Sequence, residues 1–162
     1  VFNSISQILF YKVQDLIFPP INPKIKTEDN RQYILDPVRK TWVVLTPEEW
    51  VRQHVVDFLI SHRNYPLALM KTEAAHKSNV GLRRTDIIVC DKTGKPVMIV
   101  ECKAPVVKIT QETLEQIANY NLTVKAEYLL VTNGLVLFGY KVNFDTGNTS
   151  QLSEIPNYCD MF

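Results

Sequence analysis

The chain has 162 residues, of which 46% are hydrophobic and 22% charged, and its formal net charge is +1. That length supports one domain with a real core, and the composition excludes a disordered or fibrous chain. Near-neutral charge gives no overall attraction to nucleic acid, and no apolar run approaches the roughly 20 residues that span a bilayer.

Val1-Phe2-Asn3-Ser4-Ile5 lacks the basic stretch and long apolar run of a signal peptide. With no starting Met, the chain reads as trimmed at its start or as a fragment. Residues 5–18 mix apolar and polar positions as a short helix closed by Pro19-Pro20. Pro23, Lys24 and Lys26 follow in an extended polar stretch, so residues 1–31 form an N-terminal extension. Gln32-Tyr33-Ile34-Leu35 and Thr41-Trp42-Val43-Val44-Leu45 read as two strands of a hairpin over 32–45.

The clearest helix start comes next. Thr46 is the N-cap, Pro47 the first helical residue and Glu49 the N3 partner of a capping box. Val51, Val55, Phe58 and Leu59 then form one apolar stripe, and the helix ends before Asn64-Tyr65-Pro66. Leu67 to Glu73 reads as a strand.

Two more strands follow, Arg84 to Cys90 and Val97 to Lys103, around the turn Asp91-Lys92-Thr93-Gly94-Lys95-Pro96. Thr110 caps a second helix over Gln111 to about Leu122, with Leu114, Ile117, Ala118 and Asn121 or Leu122 as its buried stripe. Glu127 to Thr132 is apolar enough for a strand buried on both faces. Asn133-Gly134 signals a two-residue hairpin returning along Leu135 to Tyr140. After that periodicity is lost, and residues 141–162 read as a loosely packed C-terminal tail. The order predicts a mixed α/β fold over 32–140, a mixed central β-sheet flanked by helices, with the second helix making one strand pair parallel. Cys90, Cys102 and Cys159 have no zinc or disulfide spacing, which fits a reducing cytoplasm.

Chemistry concentrates on the central hairpin. A turn centred between Thr93 and Gly94 places Asp86 opposite Glu101, and alternation places Glu101 and Lys103 on one face. Like charges facing each other need a bridging cation. A hard divalent ion with Lys103 beside it makes a phosphate-cleaving site. A plainer explanation is available for each residue: Asp86 paired with Arg83 or Arg84, Glu101 and Lys103 on a solvated edge. Met98 to Val100 argue against it, because a strand apolar on both faces acquires charge only at its end.

Gln116 and Tyr120 share a face of the second helix and can reach that cleft, although spacing alone favours helix packing plus a capping hydrogen bond. Glu49 is explained by capping but can also supply a further carboxylate, and Glu73 is similarly ambiguous. Lys71, Lys77, Arg83 and Arg84 gather upstream of Asp86, either as a solvated loop or as a basic patch. His54, His62 and His76 lack ligand spacing.

Thr46-Pro47-Glu48-Glu49-Trp50-Val51-Arg52-Gln53, Arg84-Thr85-Asp86, Val100-Glu101-Cys102-Lys103-Ala104-Pro105, Gln116-x-x-x-Tyr120 and Leu130-Val131-Thr132-Asn133-Gly134 occur in this order. The pattern resembles the PD-(D/E)xK nuclease superfamily, and more closely the N-terminal domain of type I restriction enzyme R subunits. The resemblance implies a restriction-endonuclease-like core that cuts DNA with Mg²⁺, or Mn²⁺, and leaves a 5′-phosphate. It implies Asp86 and Glu101 as metal ligands, Lys103 as catalytic, Gln116 and Tyr120 as supporting residues that touch DNA, and Glu49 as a further metal ligand. Restriction-modification subunits or a motor protein are the implied partners, and no membrane is. The R subunit carries a helicase-like motor that nothing in this sequence supplies. The alternative is a non-catalytic DNA-binding or assembly module that requires partner subunits; a structural protein with an accidental acidic cleft comes third.

Overall fold

In a computed structural model the described residues are 15–78 and 81–162, without the side chains of 73–84. Lys77, Arg83, Arg84, Glu73 and His76 therefore lie outside the described side chains. Of the helix expected over 5–18, residues 15–18 are not helical and the remainder lies outside the described residues.

Three short strands open the described chain: β1 (Ile25–Glu28), β2 (Arg31–Asp36) and β3 (Thr41–Val44), an antiparallel sheet in that order. The extended polar stretch around Lys26 is thus a paired strand. Its polar side chains conceal it in the sequence, because this small sheet keeps one face in water.

Helix α1 (Pro47–Arg63) begins as its cap predicts, with Thr46 Oγ1 accepting the Glu49 N–H at 3.0 Å. The Glu49 carboxylate does not complete a capping box. It accepts from Arg39, Arg52 and Gln53 instead, since charged donors hold a carboxylate more strongly than a backbone amide. The helix closes at Asn64, whose left-handed φ of 59° is tolerable for Asn. A 3-10 turn at Leu67–Leu69 delays the next strand, so β4 runs Met70–Ser78 rather than starting at Leu67.

The main sheet has six strands in sequential order: β4, β5 (Gly81–Cys90), β6 (Pro96–Cys102), β7 (Tyr128–Thr132), β8 (Leu137–Val142) and β9 (Thr149–Gln151). Among the described strands only β6 and β7 run parallel, joined through helix α2 (Gln111–Val124). The fold is therefore mixed α/β with a mixed central sheet, as the element order predicts. The helices cover opposite faces. Val51, Val55, Val56 and Leu59 of α1 pack on Ile87, Val89, Met98 and Val100, whereas Ile117 and Tyr120 of α2 pack on Ile88, Ile99, Leu129 and Val131. Alternation along β5 and β6 sorts these residues between the two layers. The buried stripe of α2 is Ile117, Tyr120 and Asn121, with Ala118 and Leu122 exposed. Asn121 turns inward because its amide exchanges two hydrogen bonds with the Ala126 backbone, at 2.7 and 2.9 Å.

Two further expectations change. The β7–β8 connection is Asn133 to Val136, four residues rather than two, because Asn133 Oδ1 accepts the N–H groups of Leu135 and Val136. The C-terminal segment is packed rather than loose. Ile155, Tyr158 and Met161 join the α1-side core, and Tyr158 Oη donates to the Cys90 carbonyl at 3.2 Å. These contacts come from isolated apolar residues, Tyr158 and Met161 in a short 3-10 turn (Tyr158–Met161), and so few residues carry no periodic signal.

Candidate functional site

The β5–β6 register pairs Ile87 with Val100, Ile88 with Ile99 and Val89 with Met98. One further step puts Asp86 opposite Glu101, as a turn centred at Thr93-Gly94 requires. The turn is built by Asp91, whose Oδ1 accepts the N–H groups of Thr93 and Lys95, and by Gly94 at φ +89°. A bulge at Val89/Cys90 takes up the irregularity near the turn and leaves the register at the acidic end intact.

At that end, Lys103 Nζ donates to Glu101 Oε1 at 2.6 Å. Lys103 also continues the parallel ladder, its N–H donating to the Thr132 carbonyl at 2.8 Å. Asp86 is held on both oxygens: Oδ1 accepts from Arg52 Nη2 and Oδ2 from the Cys102 N–H, each at 2.6 Å. A pocket of about 140 Å³ is lined by Glu101, Lys103, Thr85, Thr113, Gln116, Ile117 and Tyr120. Gln116 and Tyr120 are thus beside the acid–lysine pair. Gln116 stays exposed and Tyr120 is mostly core, lining the pocket together with Thr85. A second pocket, of about 510 Å³ and mainly apolar, lies between α2 and β7–β8 and shares only Ile117 with it.

The carboxylates repel one another. Burial, and then the charge of Asp86, push the Glu101 carboxyl above its ordinary value against the pull of Lys103. Glu48 is raised in the same way, first by burial and then by Asp86. For Lys103, burial disfavours the charge, but the hydrogen bond to Glu101 and the Glu101, Glu48 and Asp86 carboxylates prevail and hold the ammonium above its usual value. Lys103 is consequently a cation at neutral pH.

Glu49 and Glu48 diverge. The Glu49 side chain is 6% exposed, and its oxygens accept from Arg39, Arg52 and Gln53. Glu48 is 44% exposed and couples to Asp86, Lys103 and Glu101. Helix phase makes the difference: one residue is a turn of about 100°. The sequence alone points to Glu49 and gives Glu48, Arg52 and Thr85 no role at the site. The spacings Glu48–Arg52 and Glu49–Arg52 were visible as helix pairs, but their reach to Asp86 depends on how α1 packs.

These donors suit a hard cation in kind. Oxygen ligands whose mutual repulsion a positive charge would relieve fit Mg²⁺, which binds through one or two carboxylates and keeps waters. Among the described residues no group of three His, Cys, Asp or Glu side chains is assembled to hold a metal.

Residues 47–156 match the family model described as "Type I restriction enzyme R protein N terminus (HSDR_N)". The chain belongs to this family. The match runs from the first residue of α1 to Pro156, so it includes every candidate site residue. Among solved structures, the chain's fold is similar to a fragment of a putative HsdR subunit of a type I restriction enzyme from Vibrio vulnificus YJ016, with a TM-score of 0.51 and 15% identity. That likeness covers 72% of this chain and 25% of the other, so this R-protein N-terminal chain spans about a quarter of that relative's length. No curated protein matches it in sequence. Among the described residues no helix is long and apolar enough to cross a membrane.

Proposed function

We propose that this chain is a Mg²⁺-dependent, PD-(D/E)xK-type deoxyribonuclease domain that hydrolyses DNA phosphodiester bonds, with Mn²⁺ as an alternative ion. The observation that carries this reading is the convergence of Asp86, Glu101 and Lys103 at one end of β5–β6, beside Gln116 and Tyr120. Family membership supports it.

Asp86 and Glu101 are the proposed metal ligands. Glu48 takes the additional acidic position that the sequence reading gave to Glu49, because Glu49 is engaged by three donors while Glu48 is coupled to the site. Bound Mg²⁺ would neutralise charge on the phosphate and acidify a bound water. Lys103, a compact cation, orients the attacking water and offsets the charge that builds on phosphorus. Gln116 presents its amide to the DNA backbone, and Tyr120 walls the pocket beside Thr85. The partners that follow from this reading are DNA and other restriction-modification subunits, including a motor, in the cytoplasm.

The test is incubation of supercoiled and linear DNA with Mg²⁺ or Mn²⁺. Metal-dependent nicking with 5′-phosphate ends, lost in both Lys103→Ala and Asp86→Asn, is the expected result. Salt-sensitive DNA binding with no cutting by the folded chain would replace this reading with a non-catalytic module.

A further inference from the structure

Arg52 connects the first helix to the candidate site. Its side chain is 5% exposed, and Nη2 donates to Asp86 Oδ1 at 2.6 Å. Nη1 donates to Glu49, and Glu48 lies 3.6 Å from Nη2. Behind Glu49 stands Arg39, which donates to both Glu49 oxygens at 3.0 and 3.1 Å and is tied through Nε to Asp36. Asp36, Arg39, Glu49, Arg52 and Asp86 therefore form a chain of alternating charge from the small sheet to the acidic end of β5.

The order of charges matters. Arg52 holds Asp86 Oδ1, the oxygen that the Cys102 N–H leaves open, with a positive charge at hydrogen-bond distance. Arg52 also has an independent anchor in Glu49, which is mostly buried and itself neutralised by Arg39. Loss of the bond to Asp86 leaves Arg52 paired, not a bare buried charge. That removes the cost of several kcal/mol that usually prevents a buried arginine from changing partners. The Cys102 N–H meanwhile keeps Asp86 in place through Oδ2.

We propose that Arg52 is an internal counter-ion that competes with a divalent cation for Asp86, so that the site is latched until Asp86 changes partner. The proposal rests on the nuclease reading, because it takes Asp86 as a metal ligand. Arg52 is a positioning residue in this scheme and acts only through Asp86.

Calorimetric titration of Mg²⁺ and Mn²⁺ into the chain and into Arg52→Gln tests it directly. The variant should bind the metal more tightly, by about tenfold, the factor expected on removal of one competing charge-assisted hydrogen bond. A merely structural arginine would leave the affinity unchanged or weaken it, and either result in a folded variant overturns the proposal. Should Arg52→Gln not fold, NMR of the wild-type arginine side chains decides: the Arg52 signal should shift in step with Mg²⁺ saturation, and a static signal at saturation rejects the latch. Metal-dependent cutting with unchanged affinity in Arg52→Gln sinks the latch alone. Absence of metal binding in both proteins sinks the nuclease reading and the latch with it.

Discussion

Lys103 Nζ lies 2.6 Å from Glu101 Oε1, two residues apart on one face of the strand that forms the centre of the site. The contact joins a carboxyl raised by burial and by Asp86 to an ammonium held in its charged form by the same acids. Removal of the lysine leaves Glu101 without the cation it accepts from. Lys103→Met is expected to slow metal-dependent cleavage by about 10²–10³-fold, the usual effect of one lost electrostatic stabiliser. Single-turnover cleavage measures this, and DNA affinity in the same samples should change far less.

Glu48 and Glu49 separate activity from stability. Glu48→Gln should weaken Mg²⁺ binding several-fold while urea unfolding moves by no more than about 0.5 kcal/mol, because the side chain is half exposed. Glu49→Gln should cost about 3 kcal/mol, the low end for breaking a buried ion pair, since Arg39 keeps Asp36 and Arg52 keeps Asp86. The reverse pattern would assign Glu49 to the metal.

Gly134 adopts φ +82°, and a Cβ there would stand 2.7 Å from Leu16 Cδ2 and 3.0 Å from Val51 Cγ2. Its carbonyl also accepts the Ile17 N–H at 2.8 Å, which ties residues 15–18 to the β7–β8 loop. Gly134→Ala should therefore destabilise by roughly 1–3 kcal/mol, from left-handed strain plus the displaced contacts. Thermal unfolding checks it, and an unchanged midpoint would show that the loop relaxes freely.

His54 is buried on α1, its Nδ1 within 2.9 Å of the Trp50 carbonyl. Burial holds its pKa below the ordinary 6.5, against the upward pulls of the Trp50 carbonyl and Asp57. The folded state thus binds the proton less readily than the unfolded state. The stabilising share is complete above pH 6.5 and is lost as pH falls below that value toward the lowered folded pKa. Denaturant melts of wild type and His54→Phe between neutral and mildly acidic pH should show the variant's stability falling less steeply on acidification. Parallel curves would remove His54 from the acid response.

Much of the architecture is local and hence legible along the chain. The Thr46 and Thr110 caps, the Asn64 stop and the strand alternation each depend on a few neighbouring residues. The register that sets Asp86 opposite Glu101 followed from one turn, because a hairpin's pairing is set where it reverses. What escaped was of two kinds. Strand β1 is polar, and the C-terminal Ile155, Tyr158 and Met161 pack without periodicity, so neither carries a pattern.

The site divides along the same line. Asp86, Glu101 and Lys103 follow from residue type and hairpin register, which is local geometry, whereas Gln116 and Tyr120 enter through the family resemblance, since spacing alone favours helix packing for them. The choice between Glu48 and Glu49, and the link from Arg52 to Asp86, were decided only by the tertiary structure. They depend on the roll of α1 against the sheet, where one residue of helix phase selects between a neutralised core carboxylate and a half-exposed one that interacts with Asp86, Lys103 and Glu101. That roll is fixed by burial of Val51, Val55 and Leu59 against strands that follow much later in the chain.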